Sequence, residues 1–526
     1  MRDKKNKHFT WKKYHRWFGL VLSVFMLVFC VSGIILNHRQ LFAGCEVSRS
    51  LMPSAYHIQN FNNGIIKGSI KPSADSILAY GYGGVWLTDA EMKSWKDFNQ
   101  GLPKNVDGRN IRNIVQTKNG EIWCAAMKDV YRFDGKEWKM FPLADNEERI
   151  ADITLTRDST SIIAMTRSAV YEISGKKTDA ANEKRDVTRK IIGQPEGFIP
   201  EVTLFKTVWH LHSGAFFGLT GRLVVDAIAI VLIILFILPY RIRRQKRLQA
   251  REKMKKLGKQ MVFHAKWHNK LGYATIILTL WISITGMCLR PPLMVPLAMN
   301  KTTEKVKDGN VWHDKLRAIR WDAAEGNWLV STSEGFLRVD EHFLHKPTLL
   351  NKEKAPKVSP MGVTVFESVG QGGWLVGSFS GMFRWYPEKN LIVDYFTGKQ
   401  NIEKSMIPIS SHLVSGYSQD FFDGKEVVFD YSKGASFGNA ENLRNTENLK
   451  NAETKSFSAS TPEVLSAIPM SLWNVALELH VGRCYSPFLG PLSDLFVFIS
   501  GLLITLVLLS GYIIIKRRKK KGQKQL

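Results

Sequence analysis

The 526-residue sequence lacks the signatures of most enzyme classes. It contains no nucleophile elbow, no zinc-protease motif, no phosphate loop and no G-x-G-x-x-G fingerprint. Cysteine is scarce, with five residues and no Cys-x-x-Cys-His motif, so covalent attachment of a c-type haem is not expected. Disulfides are permitted among Cys45, Cys124 and Cys484, but the sequence assigns none.

Positive charge is plentiful but confined to three places. The net charge is +26, and nearly all of it comes from residues 1–16, 241–270 and 516–526. Each of these basic segments lies beside a long apolar run, and Lys/Arg-rich flanks of membrane helices stay in the cytoplasm. The charge therefore indicates membrane topology and disfavours nucleic acid as a partner.

The apolar runs predict four membrane spans, because a helix of about 20 apolar residues crosses the hydrocarbon core. We expect a bacterial inner-membrane protein with cytoplasmic termini, periplasmic loops and lipid as a partner. The predicted segments are a basic stub (1–16), a first span (17–40), an exported β-rich loop (41–207), a second span (208–240), a basic cytoplasmic loop (241–267), a third span (268–290), a second exported β-rich loop (291–478) with a low-complexity insertion (441–456), a fourth span (479–515) and a basic tail (516–526).

Both exported loops show short alternating apolar runs that are typical of strands. A Gly-x-Trp element recurs around Trp86, Trp328 and Trp374 and, with one more residue, around Trp123, and a strand-like V-Y-R-F or F-L-R-V element follows it in several copies. The spacing suits β-propeller blades, and about five units are recognisable. The two loops could form one closed propeller or two β-domains, and ordinary β-meanders are a further alternative. These units resemble the propeller repeats in the sensor portion of certain two-component regulators.

Four histidines occupy matching places in the spans. His15 and His268 open the first and third spans, while His212 and His480 open the second and fourth, each fourteen residues before an aspartate (Asp226 or Asp494). The membrane part is thus predicted to be a duplicated helix hairpin with a pseudo-two-fold axis along the membrane normal. Such an axis would bring His15 to His268 and His212 to His480, as two axial ligand pairs for b-type haem.

Other interpretations of these residues stay open. Histidine is common at membrane interfaces, and glycine is enriched where helices touch. The secondary candidates for the haem sites are His38, His210, His264, Arg39 and Arg290, of which the arginines could pair with haem propionates or simply lie at the interface. For Asp226 and Asp494 we expect hydrogen bonds to Ser23, Ser283 or Thr279, rather than a proton-linked transport role.

The H-x-x-x-G and Ser/Thr-Gly patterns of the odd spans and the L-H-x-G starts of the even spans resemble the PepSY-associated transmembrane helix family. Some members are haem-containing inner-membrane reductases that release iron from ferric siderophores in the periplasm. The resemblance implies haem b, one or two per chain, with His15, His212, His268 and His480 as ligand candidates. The loops depart from the family, whose members usually carry PepSY-type α+β modules there.

Two functions follow as hypotheses. The first is an electron-transfer protein that passes electrons from a cytoplasmic or quinol donor to an exported acceptor such as a ferric chelate or siderophore, and so acts as a ferric reductase. The alternative is a membrane-anchored β-propeller that senses or binds a ligand without redox activity.

Overall fold

The structure is a computed structural model that describes residues 2–143, 148–175, 185–252, 255–306, 308–400, 410–438, 457 and 459–523. The low-complexity insertion predicted at 441–456 lies outside these residues. The chain divides into two compact units. The helical unit comprises Met1–Ala43, Glu201–Glu304 and Leu472–Leu526, and the sheet unit comprises Gly44–Pro200 and Lys305–Ser471.

The helices carry the membrane-facing part of the chain. Their bounds are α1 (Arg2–Asn37), α2 (Leu204–Ser213), α3 (Gly218–Glu252), α4 (Lys255–Ala274), α5 (Ile276–Cys288), α6 (Met294–Met299), α7 (Glu463–Ser466), α8 (Leu472–His480), α9 (Ser486–Leu489) and α10 (Ser493–Gln523). All except α7 belong to the helical unit.

Three helical stretches are long and apolar enough to cross a membrane: Trp11–Asn37, Ala215–Leu248 and Arg483–Arg518. A fourth span exists only if the bent pair Gly258–Ala274 and Ile276–Cys288 is counted as one. The sequence predicts a single helix there, whereas the chain bends by 68° between α4 and α5. The hydroxyl of Thr275 donates to the Leu271 carbonyl at 2.9 Å, and such bonds to the preceding turn bend helices.

The even-numbered predicted spans also begin differently from expectation. His212 and His480 lie at the ends of the short helices α2 and α8, before the long apolar helices start. Gly214 and Gly482 follow them with φ of 77° and 83°, the left-handed conformation in which glycine ends a helix. The repeated L-H-x-G pattern is therefore explained by helix termination in both halves.

The helical unit has an apolar core between α1, α3 and α10. Leu22, Met26, Ile228, Leu232 and Ile504 are among its buried side chains. The packing of these helices holds the histidines at fixed levels along the bundle.

The strands belong almost entirely to the sheet unit. Their bounds are β1 (Glu46–Val47), β2 (Gly68–Ser73), β3 (Ser76–Gly81), β4 (Gly84–Thr88), β5 (Trp95–Asp97), β6 (Asn113–Gln116), β7 (Ile122–Ala125), β8 (Val130–Phe133), β9 (Trp138–Phe141), β10 (Ile150–Leu155), β11 (Ile162–Thr166), β12 (Val170–Gly175), β13 (Arg185–Lys190), β14 (Glu201–Thr203), β15 (Lys301–Thr303), β16 (Leu316–Asp322), β17 (Asn327–Thr332), β18 (Gly335–Val339), β19 (Thr348–Leu349), β20 (Val365–Gly370), β21 (Gly373–Ser378), β22 (Gly381–Tyr386), β23 (Leu391–Asp394), β24 (Val414–Ser418), β25 (Val427–Asp430), β26 (Gly434–Phe437) and β27 (Met470–Ser471).

Six antiparallel sheets make up most of this unit. We number them in chain order: sheet 1 (β2–β5), sheet 2 (β6–β9), sheet 3 (β10–β13), sheet 4 (β16–β19), sheet 5 (β20–β23) and sheet 6 (β24–β26). Each of the two loops that the sequence predicts to be exported supplies three sheets, so the estimate of about five repeat units is one too low. Sheet 6 has no Gly-x-Trp element, which is why the repeat pattern did not reveal it.

The repeated tryptophans are core residues of these sheets. Trp123, Trp328 and Trp374 lie on the second strands of sheets 2, 4 and 5 and are at most 2% exposed. Trp86 is equally buried but lies on β4, the third strand of sheet 1. A large aromatic ring in each of these sheets supplies much of the apolar area that the small sheets need for stability.

Contacts between neighbouring sheets join the two exported loops. The first strands of consecutive sheets lie side by side, and β24 of sheet 6 also contacts β2 of sheet 1. The amide of Tyr417 donates to the carbonyl of Lys67 at 3.1 Å across that last junction. The described cysteines are free, so no disulfide among them contributes to the unit.

Candidate functional site

The four histidines predicted from the repeat meet in the two expected pairs. The ring centres of His15 and His268 are 6.2 Å apart, and those of His212 and His480 are 6.1 Å apart. A metal–imidazole bond is about 2 Å long and the ring centre lies roughly 1 Å beyond the nitrogen, so two imidazoles on one metal ion have centres about 6 Å apart. Both pairs have the separation that axial ligation of one iron atom requires.

Helix α1 holds Nδ1 of His480 through two contacts. Its Nδ1 lies 2.9 Å from the hydroxyl of Ser32 and 3.1 Å from the carbonyl of Phe29. The Ser32 hydroxyl itself donates to the carbonyl of Val28 at 2.6 Å. These bonds suit an Nδ1–H donor, which leaves the Nε2 lone pair of His480 available to a metal.

His15 and His212 are held in the same way. Nδ1 of His15 lies 3.0 Å from the Val507 carbonyl and 3.1 Å from the Ser510 hydroxyl. Nδ1 of His212 lies 3.1 Å from the hydroxyl of Thr285. Ligating histidines usually donate their other ring N–H to such a group, because this fixes the tautomer and the ring orientation.

A glycine beside each hydroxyl makes room for the ring. A methyl group at Gly286 would lie 2.8 Å from Cε1 of His212, and one at Gly511 would lie 2.9 Å from Cε1 of His15. At Gly33 the distance to Cε1 of His480 would be 3.4 Å. Each of these Ser/Thr-Gly pairs is therefore a histidine seat, in which the hydroxyl contacts Nδ1 and the glycine leaves space for the ring. The sequence pattern alone did not indicate this role.

The fourth histidine departs from this pattern. Nδ1 of His268 is buried without a hydrogen bond in the described part of the chain. The carbonyl of Leu235 acts on this imidazole, although too loosely to count as a bond. Pro239 lies in α3 and has no N–H, so it cannot occupy the Leu235 carbonyl as the residue four positions on in a helix normally would. That carbonyl therefore lacks its usual helical donor and is available to accept a hydrogen bond from the His268 ring.

The secondary candidates have contacts of other kinds. His38 is engaged with Asp226 at 2.6 Å, and the Arg39 guanidinium lies 4.0 Å from the ring centre of Trp473. His210 packs against Trp209, and His264 packs against Phe263 on α4, the helix that also carries His268. Arg290 lies 3.4 Å from Asp494.

The expected hydrogen bonds of the two span aspartates are wrong. Asp226 accepts from Asn37 at 3.1 Å and pairs with His38, and Asp494 pairs with Arg290. Ser23 and Thr279 instead donate to carbonyls of their own helices. Asp226 is buried in the helical unit, where a carboxylate needs a charged or multiply donating partner, whereas the side chain of Asp494 is 69% exposed.

The donor set discriminates between kinds of metal site. Within the described residues, no group of three or more His, Cys, Asp or Glu could hold a bare metal ion. Zinc sites need three or four protein ligands, whereas a haem iron takes only its axial ligands from the protein. Two neighbouring imidazoles in each pair, with Nδ1 hydrogen-bonded in His15, His212 and His480, therefore fit haem and do not fit a bare zinc ion.

The helices, the duplicated hairpin and the paired histidines define a membrane protein with a two-histidine site in each of two places. Residues 13–518 match the PepSY-associated TM region, and the chain belongs to the PepSY-associated TM family. No curated protein matches the sequence.

Solved structures give only distant likenesses. One is the extracellular domain of a hybrid two component system from B. thetaiotaomicron, with 12% identity, 71% of this chain and 31% of that chain covered, and a TM-score of 0.22. Another is the extracellular domain of a one component system from the same organism, with 10% identity, 71% and 53% covered, and a TM-score of 0.18. A third belongs to a yeast heterotrimeric nucleoporin complex, with 8% identity, 73% and 96% covered, and a TM-score of 0.23. Our chain thus spans about a third to a half of the first two, and scores this low carry no argument about fold.

Proposed function

We propose that this protein is a di-haem electron-transfer protein of the inner membrane that reduces an exported ferric chelate. The observation that carries the proposal is the ring separation in two histidine pairs, 6.2 Å in one and 6.1 Å in the other. Within each pair, the internal repeat relates one histidine to the other. His15 with His268 would hold one haem b, and His212 with His480 would hold the other. When bound, haem supplies a one-electron carrier whose potential depends on its axial ligands and its burial.

The two pairs lie at opposite ends of the first span. His15 belongs to one pair, and Ser32, on the same helix, positions His480 of the other. Seventeen helical residues correspond to about 25 Å along the axis. We infer that the pairs serve opposite leaflets, one nearer the donor and one nearer the acceptor.

The electron balance of the proposed reaction is simple. Each ferric ion accepts one electron and becomes ferrous, which weakens its hold on a ferric-selective chelator. A quinol would supply two electrons and release two protons while it reduces two ferric ions, and a cytoplasmic reductant could supply the electrons instead. Apart from ligation, the protein's own side chains orient the imidazoles through their Nδ1 bonds and perform no acid–base step.

We further propose that the six sheets close into a six-bladed β-propeller on the exported side. Support comes from the contacts of each sheet with the next and of sheet 6 with sheet 1. Such closure leaves each sheet's faces covered by its neighbours. Asp423 and Gly424 lie in the connection between β24 and β25.

A thiol-labelling experiment tests the orientation. Cys45 is exposed, whereas Cys124 and Cys484 are buried. We expect a membrane-impermeant maleimide to label intact spheroplasts, and the Cys45→Ser variant to lose most of that label. Labelling of Cys45 only after lysis would contradict the periplasmic placement of the sheet unit.

A glycine substitution tests the histidine seats. Gly286→Ala would place a methyl group 2.8 Å from Cε1 of His212, so the imidazole must move away from His480. We expect the haem content to fall by roughly half, because one axial bond is lost. Gly19→Ala is the matched control, since its methyl group would meet only Val507 at 3.7 Å. Equal haem content in the two variants would argue against the pairing.

Reoxidation kinetics test the reaction itself. Purified protein is reduced with dithionite, freed of excess reductant and mixed with ferric citrate while a ferrous-specific chromogenic chelator records the product. We expect the reduced haem bands to disappear as ferrous iron appears, with one iron reduced per haem oxidised. Reduced bands that persist in the presence of ferric citrate, deferoxamine-bound iron and other ferric chelates would contradict the reductase function.

A further inference from the structure

A cavity of about 550 Å³ lies where the first strands of the six sheets converge. Every sheet contributes to its wall, and β2, β6, β10, β16, β20 and β24 all line it. This volume lies within the range of small-molecule sites, which is about 300–1,000 Å³. Nothing in the electron-transfer proposal uses this cavity.

The cavity wall carries an excess of positive charge. Six cationic side chains line it, against three acidic ones. The cations are Lys67, Arg112, Arg149, Arg167, Arg317 and Arg320, and the acids are Asp152, Glu367 and Asp420. A concave site lined by one sign of charge concentrates ligands of the opposite sign.

Each of the three acidic side chains contacts another group of the cavity wall. Asp152 accepts from Arg320 at 2.5 Å and from the amide of Ile319 at 3.0 Å. Arg320 also lies 3.9 Å from Glu367, and Asp420 accepts from the hydroxyl of Ser69 at 2.5 Å. Three acids cannot balance six cations, so the wall keeps a net positive charge.

Two of those cations donate hydrogen bonds only to neutral groups in the described part of the chain. Nζ of Lys67 donates to the side chain of Asn110 and to the Ile111 carbonyl. The Arg317 guanidinium donates to the carbonyls of Asp314 and Leu316, and its buried Nε has no partner in the described part of the chain. Burial, together with repulsion from Arg167, lowers the pKa of Arg317 to about 10. The nearby carboxylates of Asp314 and Glu334 do not offset these two effects, so a ligand anion would supply compensation that this partly buried cation lacks.

Hydroxyl and amide side chains complete the wall. Ser69, Asn113, Thr364, Ser418 and Gln419 line the same cavity. Carboxylate and phosphate groups accept several hydrogen bonds at once from groups of this kind, and arginine recognises both through two parallel bonds.

We propose that this cavity binds a small, multiply charged oxyanion, held chiefly by Lys67 and Arg317. The ligand would carry at least two carboxylate or phosphate groups, since a monoanion would leave one of the two cations uncompensated. The proposal does not depend on haem binding, because it rests on residues of the sheet unit alone.

Calorimetric titration of the full chain in detergent tests it. The probes are citrate and pyrophosphate, which represent the carboxylate and phosphate sources, with acetate as the monoanionic control. We expect one of the two polyanions to bind with a one-to-one stoichiometry, and acetate to bind at least about a hundredfold more weakly. Absence of heat from both polyanions at millimolar concentration would overturn the proposal.

Substitutions locate the bound anion. Arg317→Gln and Lys67→Gln should each weaken binding at least about tenfold, because each removes a charge-assisted bond. Lys71→Gln is the matched control, since Lys71 lies exposed on β2, the strand that begins directly after Lys67, and does not line the cavity. Binding that survives unchanged in Arg317→Gln would overturn the assignment, whether or not Lys67→Gln folds. The absorption spectrum of the same samples reports haem separately, so failure of either proposal is recognised without the other.

Discussion

Replacement of His480 by alanine is expected to remove about half of the haem. The ring centre of His480 lies 6.1 Å from that of His212, and Nδ1 of His480 is hydrogen-bonded to Ser32 and Phe29. The Nε2 lone pair of His480 is thus the one that would bind iron. Without one imidazole, the remaining axial ligand must hold the iron alone, and a b-type haem has no covalent attachment to retain it. The haem bound per protein chain should fall from about two to about one in a pyridine haemochrome assay.

The matched control for this variant is His264→Ala. His264 lies on α4 one turn before His268 but packs against Phe263 and has no facing imidazole among the described ring contacts. Its removal should leave the haem content unchanged. If His264→Ala loses as much haem as His480→Ala, the assignment of the pairs is wrong.

Replacement of Asp152 by alanine is expected to destabilise the sheet unit by about 3–5 kcal/mol. Asp152 is 4% exposed and connects sheet 3 of the first exported loop to sheet 4 of the second. Its carboxylate accepts from Arg320 and from the backbone amide of Ile319. Removal leaves the guanidinium of Arg320, itself only 17% exposed, without its closest carboxylate.

Unfolding of the full chain in detergent, followed by tryptophan fluorescence in a urea series, measures this effect. Glu137→Ala is the control, because Glu137 pairs with Lys139 at an exposed position and such pairs contribute at most about 1 kcal/mol. Equal midpoints for Asp152→Ala and Glu137→Ala would show that the connection between the two loops does not depend on this ion pair.

The histidine pairs could be predicted from the sequence because the repeat carries topological information. Two hairpins with the same direction across the membrane are related by an axis along its normal, so equivalent residues on facing helices approach one another. His15 and His268 obey this rule, as do His212 and His480. No knowledge of side-chain packing was needed.

The seats of the histidines could not be predicted in the same way. Ser510 and Gly511 repeat the Ser-Gly pattern of Ser32 and Gly33. The pattern does not reveal which histidine-bearing helix packs against each pair. The neighbour of each seat follows from the packing of α1 against α8 and α10 and of α2 against α5. Equally, the bend at Thr275 arises from a local hydroxyl bond in a stretch that is apolar enough to read as one straight helix.

The sheets of the two loops that are predicted to be exported could also be predicted only in part from the sequence. Buried tryptophans made four sheets visible in the sequence, whereas sheets 3 and 6 fill their cores with residues such as Ile163 and Phe429, which alternate like those of any strand. The cationic cavity was not foreseen at all. Its side chains come from six strands far apart in sequence, and only the approach of those strands brings Lys67 and Arg317 to one site.

The absorption spectrum of the purified protein, oxidised and then reduced with dithionite, tests the central claim most directly. If imidazoles from the duplicated hairpin hold iron porphyrin, the reduced protein will show the sharp bands of low-spin b-type haem at roughly two haems per chain. Protein that folds with its sheet unit intact, is supplied with haem during expression and still shows no such bands would contradict the account.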